Sequence, residues 1–335
     1  MTASFSSTDA SLFFSRNDAQ DRRLGDLARA LPAMKLPMEL DATLREVVAT
    51  EKGTRHFVLA GYPDDEGIRL NGGRPGAANA PDSVRRPLYK MTPGLTPSHA
   101  TGFQIWDAGN LLSAGASLEA RHETVTKFAR TALDNGVGWI GIGGGHDYGF
   151  PDAAAFIESI KAKSPSIRPL VINFDAHLDV RPTTKGLSSG TPFFRMLEKY
   201  PDVDLIEIGI QGHCNSRSHL EWALSRGARV VTQEEVETSG ESLTTIVQRT
   251  MDDWLLRPRP VFLSVDIDGF SSAVAPGCSQ SWATGFMPHD FFPCLQMLTG
   301  RLEVKMLGIY EVSPPLDQDD RTAKLAAQII HRVMT

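Results

Sequence analysis

The sequence predicts an α/β protein in which eight parallel strands form one sheet covered by helices on both faces. Two observations carry this reading. Short apolar runs alternate along the chain with longer stretches of helical pattern, and most of the runs are apolar on both parities. Parallel strands buried on two faces read in this way, whereas half-solvated strands alternate. The same elements could close into an eight-stranded barrel. In either architecture a ligand site belongs beyond the carboxyl ends of the strands.

The strand candidates are His56–Gly61, Phe103–Asp107, Val137–Gly143, Leu170–Phe174, Val203–Gly209, Ala228–Val231, Val261–Val265 and Val304–Tyr310. Between them lie candidate helices Leu118–Asn135, Ala153–Lys163, Ser218–Arg226, Ser242–Trp254 and Pro288–Leu298. Thr191 and Pro192 supply an N-cap and a proline at the first helical position ahead of Phe193–Lys199. Ala80 and Pro81 open another helix, and the last, Arg321–Val333, follows the acidic stretch Asp317–Asp320, which suits a helix N-terminus. Helical crossovers between successive strands require a parallel sheet. Residues 1–30 read as an N-terminal extension and 31–335 as a single catalytic domain.

Composition removes several function classes. A net charge of −6 without a cluster of Lys and Arg argues against nucleic acid as a partner. No apolar run approaches the roughly 20 residues that span a bilayer, so no membrane partner is expected. Met1 to Gln20 lacks a basic region followed by an apolar core and does not read as a signal peptide. The three cysteines, Cys214, Cys278 and Cys294, form no close-spaced pair. That suits a reducing compartment and offers no thiolate zinc site. The expectation is a cytoplasmic enzyme acting on a small molecule.

The chemistry collects just past three strand candidates. Asp175-Ala176-His177-Leu178-Asp179 follows Leu170–Phe174, and in extended chain residues two apart point to one side. Two carboxylates and an imidazole at that spacing make a metal set; a polar loop capping the next helix is the plainer alternative. Asp266 and Asp268 leave Val261–Val265 with the same spacing. Gly143-Gly144-Gly145-His146-Asp147 follows Val137–Ile142, and its glycines allow the backbone close approach while presenting His146. Together His146, Asp175, His177, Asp179, Asp266 and Asp268 meet at one sheet edge. Four crowded carboxylates repel unless cations neutralise them, and oxygen-rich ligands with two histidines favour Mn²⁺ over zinc.

The motifs GGGHD at 143–147, DAHLD at 175–179, SVDID at 264–268 and EVSP at 311–314 resemble those of the ureohydrolase superfamily of arginase, agmatinase and formimidoylglutamase, in order and in separation. The resemblance spans roughly Phe57 to Val333. It implies an arginase-like three-layer α/β/α sandwich around a central eight-stranded parallel β-sheet, and two Mn²⁺ ions per subunit held by the six residues above. It also implies trimers or hexamers. Glu311 matches the superfamily's substrate-binding glutamate, expected to pair with a cationic amidinium or formimino nitrogen. Asp179 is the candidate to relay a proton to the departing amine.

Several segments are similar to the formimidoylglutamase branch in particular: Asp65-Glu66-Gly67-Ile68-Arg69 with Asn71, Arg74 and Ala77, then His177–Pro182, Ser188–Phe193 and Phe270. N-formimidoyl-L-glutamate carries two carboxylates, so its site should offer cations and N–H donors. Arg69, Arg74 and Arg181 lie in loops that could supply them, Arg181 first, and the helix opening at Thr191 offers free backbone N–H groups. Ser271 and Ser272 depart from the superfamily's usual aspartate and proline. No counterpart of arginase's asparagine- and histidine-bearing segment after DAHxD is evident. Hydrolysis of arginine, agmatine or a guanidino acid, a mononuclear zinc deacetylase and a metal-binding pseudoenzyme are the rival readings.

Overall fold

In a computed structural model that describes residues 3–95, 102–113 and 115–335, the chain forms a ten-stranded sheet flanked by helices. The eight strands expected from the sequence appear as β3 (Arg55–Gly61), β4 (Phe103–Leu112), β5 (Gly138–Ile142), β6 (Leu170–Phe174), β7 (Asp204–Ile210), β8 (Arg229–Thr232), β9 (Pro260–Asp266) and β10 (Glu303–Tyr310). Two short strands join them, β1 (Ser4–Phe5) and β2 (Ala28–Ala30). All pairings are parallel except β1 against β4.

The order β1-β4-β3-β5-β10-β9-β6-β7-β8 leaves the sheet open, with β8 at one edge, which rules out the barrel. The last two strands, β10 and β9, insert between β5 and β6. Residues far apart in sequence therefore become neighbours at the centre of the sheet.

Apolarity on both parities has a direct structural counterpart. Leu59, Ile140, Ile172 and Leu263 belong to the core on one face. Their immediate neighbours Val58, Trp139, Val171 and Phe262 belong to the core on the other. Full burial of such side chains stabilises by about 1.5–3 kcal/mol each, and it demands helices on both sides. Those helices match the expected ones closely, including Leu118–Asp134, Gly149–Lys163, Pro192–Lys199 and Pro288–Arg301.

One helix start differs from expectation, and at a second the expected acidic stretch acts through a single residue. Thr191 does not cap its helix; its hydroxyl turns back to Ser188, donating to the carbonyl at 2.8 Å and accepting from the N–H at 3.2 Å. The loop Ser188–Thr191 thus closes on itself, and Pro192, which has no N–H, leaves one fewer donor to satisfy. At Arg321–Met334 the capping carboxylate is Asp317 alone, which accepts from the N–H groups of Thr322 and Ala323. Asp320 occupies the formal cap with φ 54° and makes no side-chain cap bond.

The opening residues lie against the sheet. Phe5 is buried on Phe128 and Trp139, with ring centroids 4.9 and 6.3 Å away. Thr8 donates to Asp107 at 2.6 Å, the same buried carboxylate that receives Arg85 Nε at 2.9 Å.

Candidate metal centre and active-site cavity

The four adjacent strands β5, β10, β9 and β6 deliver their following residues to one edge of the sheet. His146 follows β5, Glu311 follows β10, Asp266 ends β9 with Asp268 just beyond, and Asp175–Asp179 follows β6. This is the carboxyl end of a parallel sheet, where side chains from separate loops can converge without breaking strand pairing.

They converge into two groups that share Asp175. His146, Asp175, Asp179 and Asp266 form one, and Asp175, His177 and Asp268 the other; within each group one ligand atom per residue lies within 4.8 Å of the rest. His146 Nδ1 stands 3.0 Å from Asp175 Oδ2, 3.0 Å from Asp179 Oδ2 and 3.2 Å from Asp266 Oδ2. His177 Nδ1 stands 3.5 Å from Asp175 Oδ1 and 3.2 Å from Asp268 Oδ2.

The donor set fits divalent cations. His146 Nδ1 is fully buried and, although three carboxylates crowd it, none is aligned to form a hydrogen bond with it. Its other nitrogen, Nε2, lies 2.9 Å from Ser264 Oγ. A proton on Nε2 donated to that hydroxyl leaves the Nδ1 lone pair facing the carboxylates, the arrangement a metal-binding imidazole requires. Asp268 Oδ1 is also buried, with no hydrogen-bond partner among the described residues.

The electrostatics agree. Burial and the neighbouring Asp268 and Asp175 push the Asp266 carboxyl well above its ordinary range. Burial, helped by Asp175 and Asp179, carries the Asp268 carboxyl up to about 6 against the pull of His177. Burial, then Asp175, raises the Asp179 carboxyl. Burial depresses the His146 imidazole, but Asp175, Asp179 and Asp266 more than offset it and lift it well above 6.5. Like charges this close ionise together only when cations offset them.

Backbone geometry singles out two of these residues. Among the described residues, five that are not glycine have positive φ, and two of the five are Asp179 (φ 47°) and Glu311 (φ 63°). The left-handed region is disfavoured for residues with a Cβ, and such strain gathers where surrounding structure fixes a functional side chain. Asp175, His177 and Asp179 thus converge on an irregular segment, bent at Ala176 and His177 and left-handed at Asp179, rather than through the strand alternation expected from their spacing. The three glycines at 143–145 all keep φ outside the positive range. They serve close approach instead: a Cβ on Gly144 would overlap the Asp64 carbonyl oxygen.

Beside the two groups opens a cavity of about 370 Å³ whose walls include His177, Asp179, Arg181, Asp266, Asp268 and Glu311, together with Asn71, Ser189, Asn215 and His219. Glu311 sits 4% exposed, and Oε1 accepts from the His146 N–H at 3.2 Å. Burial and Asp268 raise its carboxyl well above the ordinary range. Arg181 donates to Asn71 Oδ1 at 2.7 Å and, among the described residues, has no carboxylate within salt-bridge distance. The other two arginines are engaged elsewhere. Arg69 pairs with Asp65 at 3.2 Å and is 61% exposed. Arg74 spends its guanidinium on the carbonyls of Ser279 (3.0 Å) and Cys278 (3.1 Å). Neither lines the cavity, nor does Thr191.

Sequence reasoning missed four supports. Ser264 orients His146; it sits two residues before Asp266 in the same strand, a spacing that could have revealed it. Asn71 holds Arg181 and donates to Ser189 Oγ at 3.1 Å. Asn215 clamps the metal loop, accepting from the Leu178 N–H at 2.9 Å and donating to the Ala176 carbonyl at 2.8 Å. Asn173 donates to Asp175 at 3.2 Å and to the buried Glu207 at 2.7 Å. Asn215 lies in an irregular loop after β7, where no periodic signal marks it.

An open, mostly parallel sheet carrying two adjoining His–Asp groups at the carboxyl end of its central strands defines a hydrolase of the arginase fold with a candidate metal site. The chain belongs to the arginase family, whose model matches residues 55–335. It is 32% identical over 287 residues to a formimidoylglutamase of Clostridium tetani, covering 84% of this chain and 83% of that protein. It is 33% identical over 282 residues to a formimidoylglutamase of Streptococcus pyogenes, covering 82% of this chain and 83% of the relative. Among solved structures it resembles a Trypanosoma cruzi formiminoglutamase variant with Mn²⁺, with a TM-score of 0.73 at 26% identity, covering 88% of this chain and 96% of that one. The formimidoylglutamase of Bacillus subtilis shares the fold with a TM-score of 0.76 at 20% identity, over 96% of this chain and 93% of that one.

Proposed function

We propose that the chain hydrolyses N-formimidoyl-L-glutamate to L-glutamate and formamide, using two Mn²⁺ ions. The observation that carries this reading is that one cavity borders both His–Asp groups and brings to them a buried carboxylate, Glu311, and a guanidinium, Arg181, that has no acidic partner among the described residues. The relatives named above support the choice of substrate.

His146, Asp175, Asp179 and Asp266 would hold one cation, and Asp175, His177 and Asp268 the other. Bound there, the ions supply Lewis acidity and the means to acidify a water towards neutral pH. The chain's own residues do the rest. Glu311 offers a carboxylate to the cationic formimino nitrogen, fixing the planar carbon over the centre. Arg181, held by Asn71, receives a substrate carboxylate. Asp179, at the cavity wall, takes a proton from the attacking water and passes it to the leaving amine. The bond that breaks joins the formimino carbon to the glutamate nitrogen; water supplies the oxygen of formamide, and its two protons end on the glutamate nitrogen, which leaves as an ammonium group.

No helix among the described residues is long and apolar enough to cross a membrane. With Cys214, Cys278 and Cys294 all unpaired, we read the enzyme as cytoplasmic and, by its family, as a trimer or hexamer, a state that light scattering would read directly. Assay of the Mn²⁺-loaded protein with formimidoylglutamate, arginine, agmatine and 4-guanidinobutyrate tests the substrate. Glutamate and formamide from the first compound are expected; urea from a guanidino compound would overturn the substrate and keep the metal chemistry.

A further inference from the structure

Beneath the metal centre lies a buried polar network that takes no part in the chemistry described above. Asp152, in the helix Gly149–Lys163, has no solvent exposure. Its Oδ2 accepts from the Tyr310 hydroxyl at 2.6 Å and its Oδ1 from the Tyr62 hydroxyl at 2.8 Å; Tyr62 in turn accepts from Trp139 Nε1 at 2.7 Å. Asp152 does not border the cavity and belongs to neither His–Asp group.

Its two tyrosines act as plates under the loop that bears His146. The Tyr310 ring stacks on the His146 imidazole, with centroids 4.8 Å apart and planes at 24°. The Tyr62 ring stacks on Tyr148, with centroids 4.8 Å apart and planes at 19°. Phe193 meets His146 edge-on from another direction at 5.4 Å.

Room for this network is made in two neighbouring strands. A Cβ on Gly141 of β5 would come within 2.8 Å of both Asp152 Oδ2 and the Tyr62 hydroxyl. A Cβ on Gly308 of β10 would overlap the Tyr310 hydroxyl. Glycine inside a strand weakens it, and a buried carboxyl is costly to desolvate. Leucine or phenylalanine would fill the same volume at lower cost, so a cost of this kind calls for a function.

The geometry at His146 supplies one. The bond from Nε2 to Ser264 fixes the direction of the imidazole but leaves rotation about that axis open. A stacked ring fixes the plane. We propose that Asp152 is a positioning residue for the metal centre, acting through the Tyr310 hydroxyl to hold the ring that keeps His146 Nδ1 among the carboxylates of Asp175, Asp179 and Asp266. The inference rests on the metal reading given above.

The test uses the full chain stripped of metal and titrated with Mn²⁺ by calorimetry, with the absorption spectrum of the Co²⁺ form as a second readout. Tyr310→Phe keeps the plate and deletes only the hydroxyl that Asp152 holds. It should weaken Mn²⁺ binding about tenfold, the lower end of what loss of such supporting groups costs, and alter the Co²⁺ spectrum. Asp152→Ala should do at least as much; if that variant does not fold, Tyr310→Phe decides alone. The control is Tyr200→Phe, which removes a hydroxyl bonded at 2.6 Å to Glu158 on the same helix, away from the site, and should bind Mn²⁺ as the unaltered chain does. Unchanged affinity and spectrum in Tyr310→Phe would overturn the inference and leave the metal reading intact. An equal loss in Tyr200→Phe would overturn it too, by showing that affinity only follows loosening of the core. Failure of the unaltered chain to take up Mn²⁺ would end the metal reading, and this inference with it.

Discussion

Asp175 faces both histidines of the site: Oδ2 lies 3.0 Å from His146 Nδ1, and Oδ1 lies 3.5 Å from His177 Nδ1. One carboxylate therefore joins the two halves of the cluster, while Asp268 serves only the second. Removing each should have different consequences. Bound manganese, measured by mass spectrometry after desalting, should fall from about two ions per chain to near zero in Asp175→Ala and to about one in Asp268→Ala. Equal losses in the two variants would contradict a shared Asp175.

Glu311 is buried at the cavity wall and belongs to neither His–Asp group. Glu311→Gln keeps its shape and removes its charge. Turnover of formimidoylglutamate should fall about a hundredfold in kcat/KM, equivalent to about 2.7 kcal/mol of lost stabilisation, with manganese content unchanged. Loss of metal in this variant would mean that Glu311 supports the centre rather than the substrate.

Arg181 and Arg69 offer a paired comparison. Arg181 borders the cavity and, among the described residues, its guanidinium bonds only to neutral Asn71, whereas Arg69 is exposed and paired with Asp65. Arg181→Ala should raise KM about tenfold or more with little change in kcat, the signature of lost uniform binding. Arg69→Ala should leave both constants near their starting values. Steady-state kinetics on the two variants separates a carboxylate-binding role from a general effect of surface charge.

Asp152 carries a pH signature in stability. Burial, outweighing the hydroxyl bonds from Tyr310 and Tyr62, lifts its carboxyl from 3.8 to about 7. Between those values the folded chain keeps a proton that the unfolded chain has released, so this group's contribution to stability falls as pH rises through the window. The total involved is up to about 4 kcal/mol. Thermal melts of the metal-free protein and of Asp152→Asn at pH 5 and pH 8 should show the unaltered chain losing ground relative to the variant at the higher pH. A constant difference between the two melts would exclude this titration.

The arrangement of apolar runs was enough to read β3 to β10, because a strand buried on both faces must be apolar at consecutive positions, as at Val58 and Leu59 or Phe262 and Leu263. The short strands β1 and β2 carry no such pattern. They are ordered by pairing to β4 and by anchors such as Phe5 on Phe128, which are contacts between distant parts of the chain. The cap at the last helix shows the same limit. An acidic stretch marks the helix start, but which of its carboxylates reaches the N–H groups depends on how the chain enters the helix.

By itself the sequence determined an open-or-closed parallel α/β architecture and the six residues His146, Asp175, His177, Asp179, Asp266 and Asp268 as one chemical group. Both follow from local rules: side-chain periodicity within a strand, and motifs that lie directly after strand ends. The motif resemblance pointed to an open sandwich, but only the tertiary structure decided the strand order that keeps it open, because inserting β10 and β9 between β5 and β6 pairs Trp139 with Met306, 167 residues on, and Leu170 with Val261, 91 residues on. It also decided which arginine is available. The sequence offered Arg69, Arg74 and Arg181 with Arg181 first, and in the fold Asp65 and two carbonyls occupy the other two while Arg181 reaches the cavity on Asn71. Long, flexible side chains take the partners that folding brings within reach, and those partners are set by packing, not by neighbours in the chain.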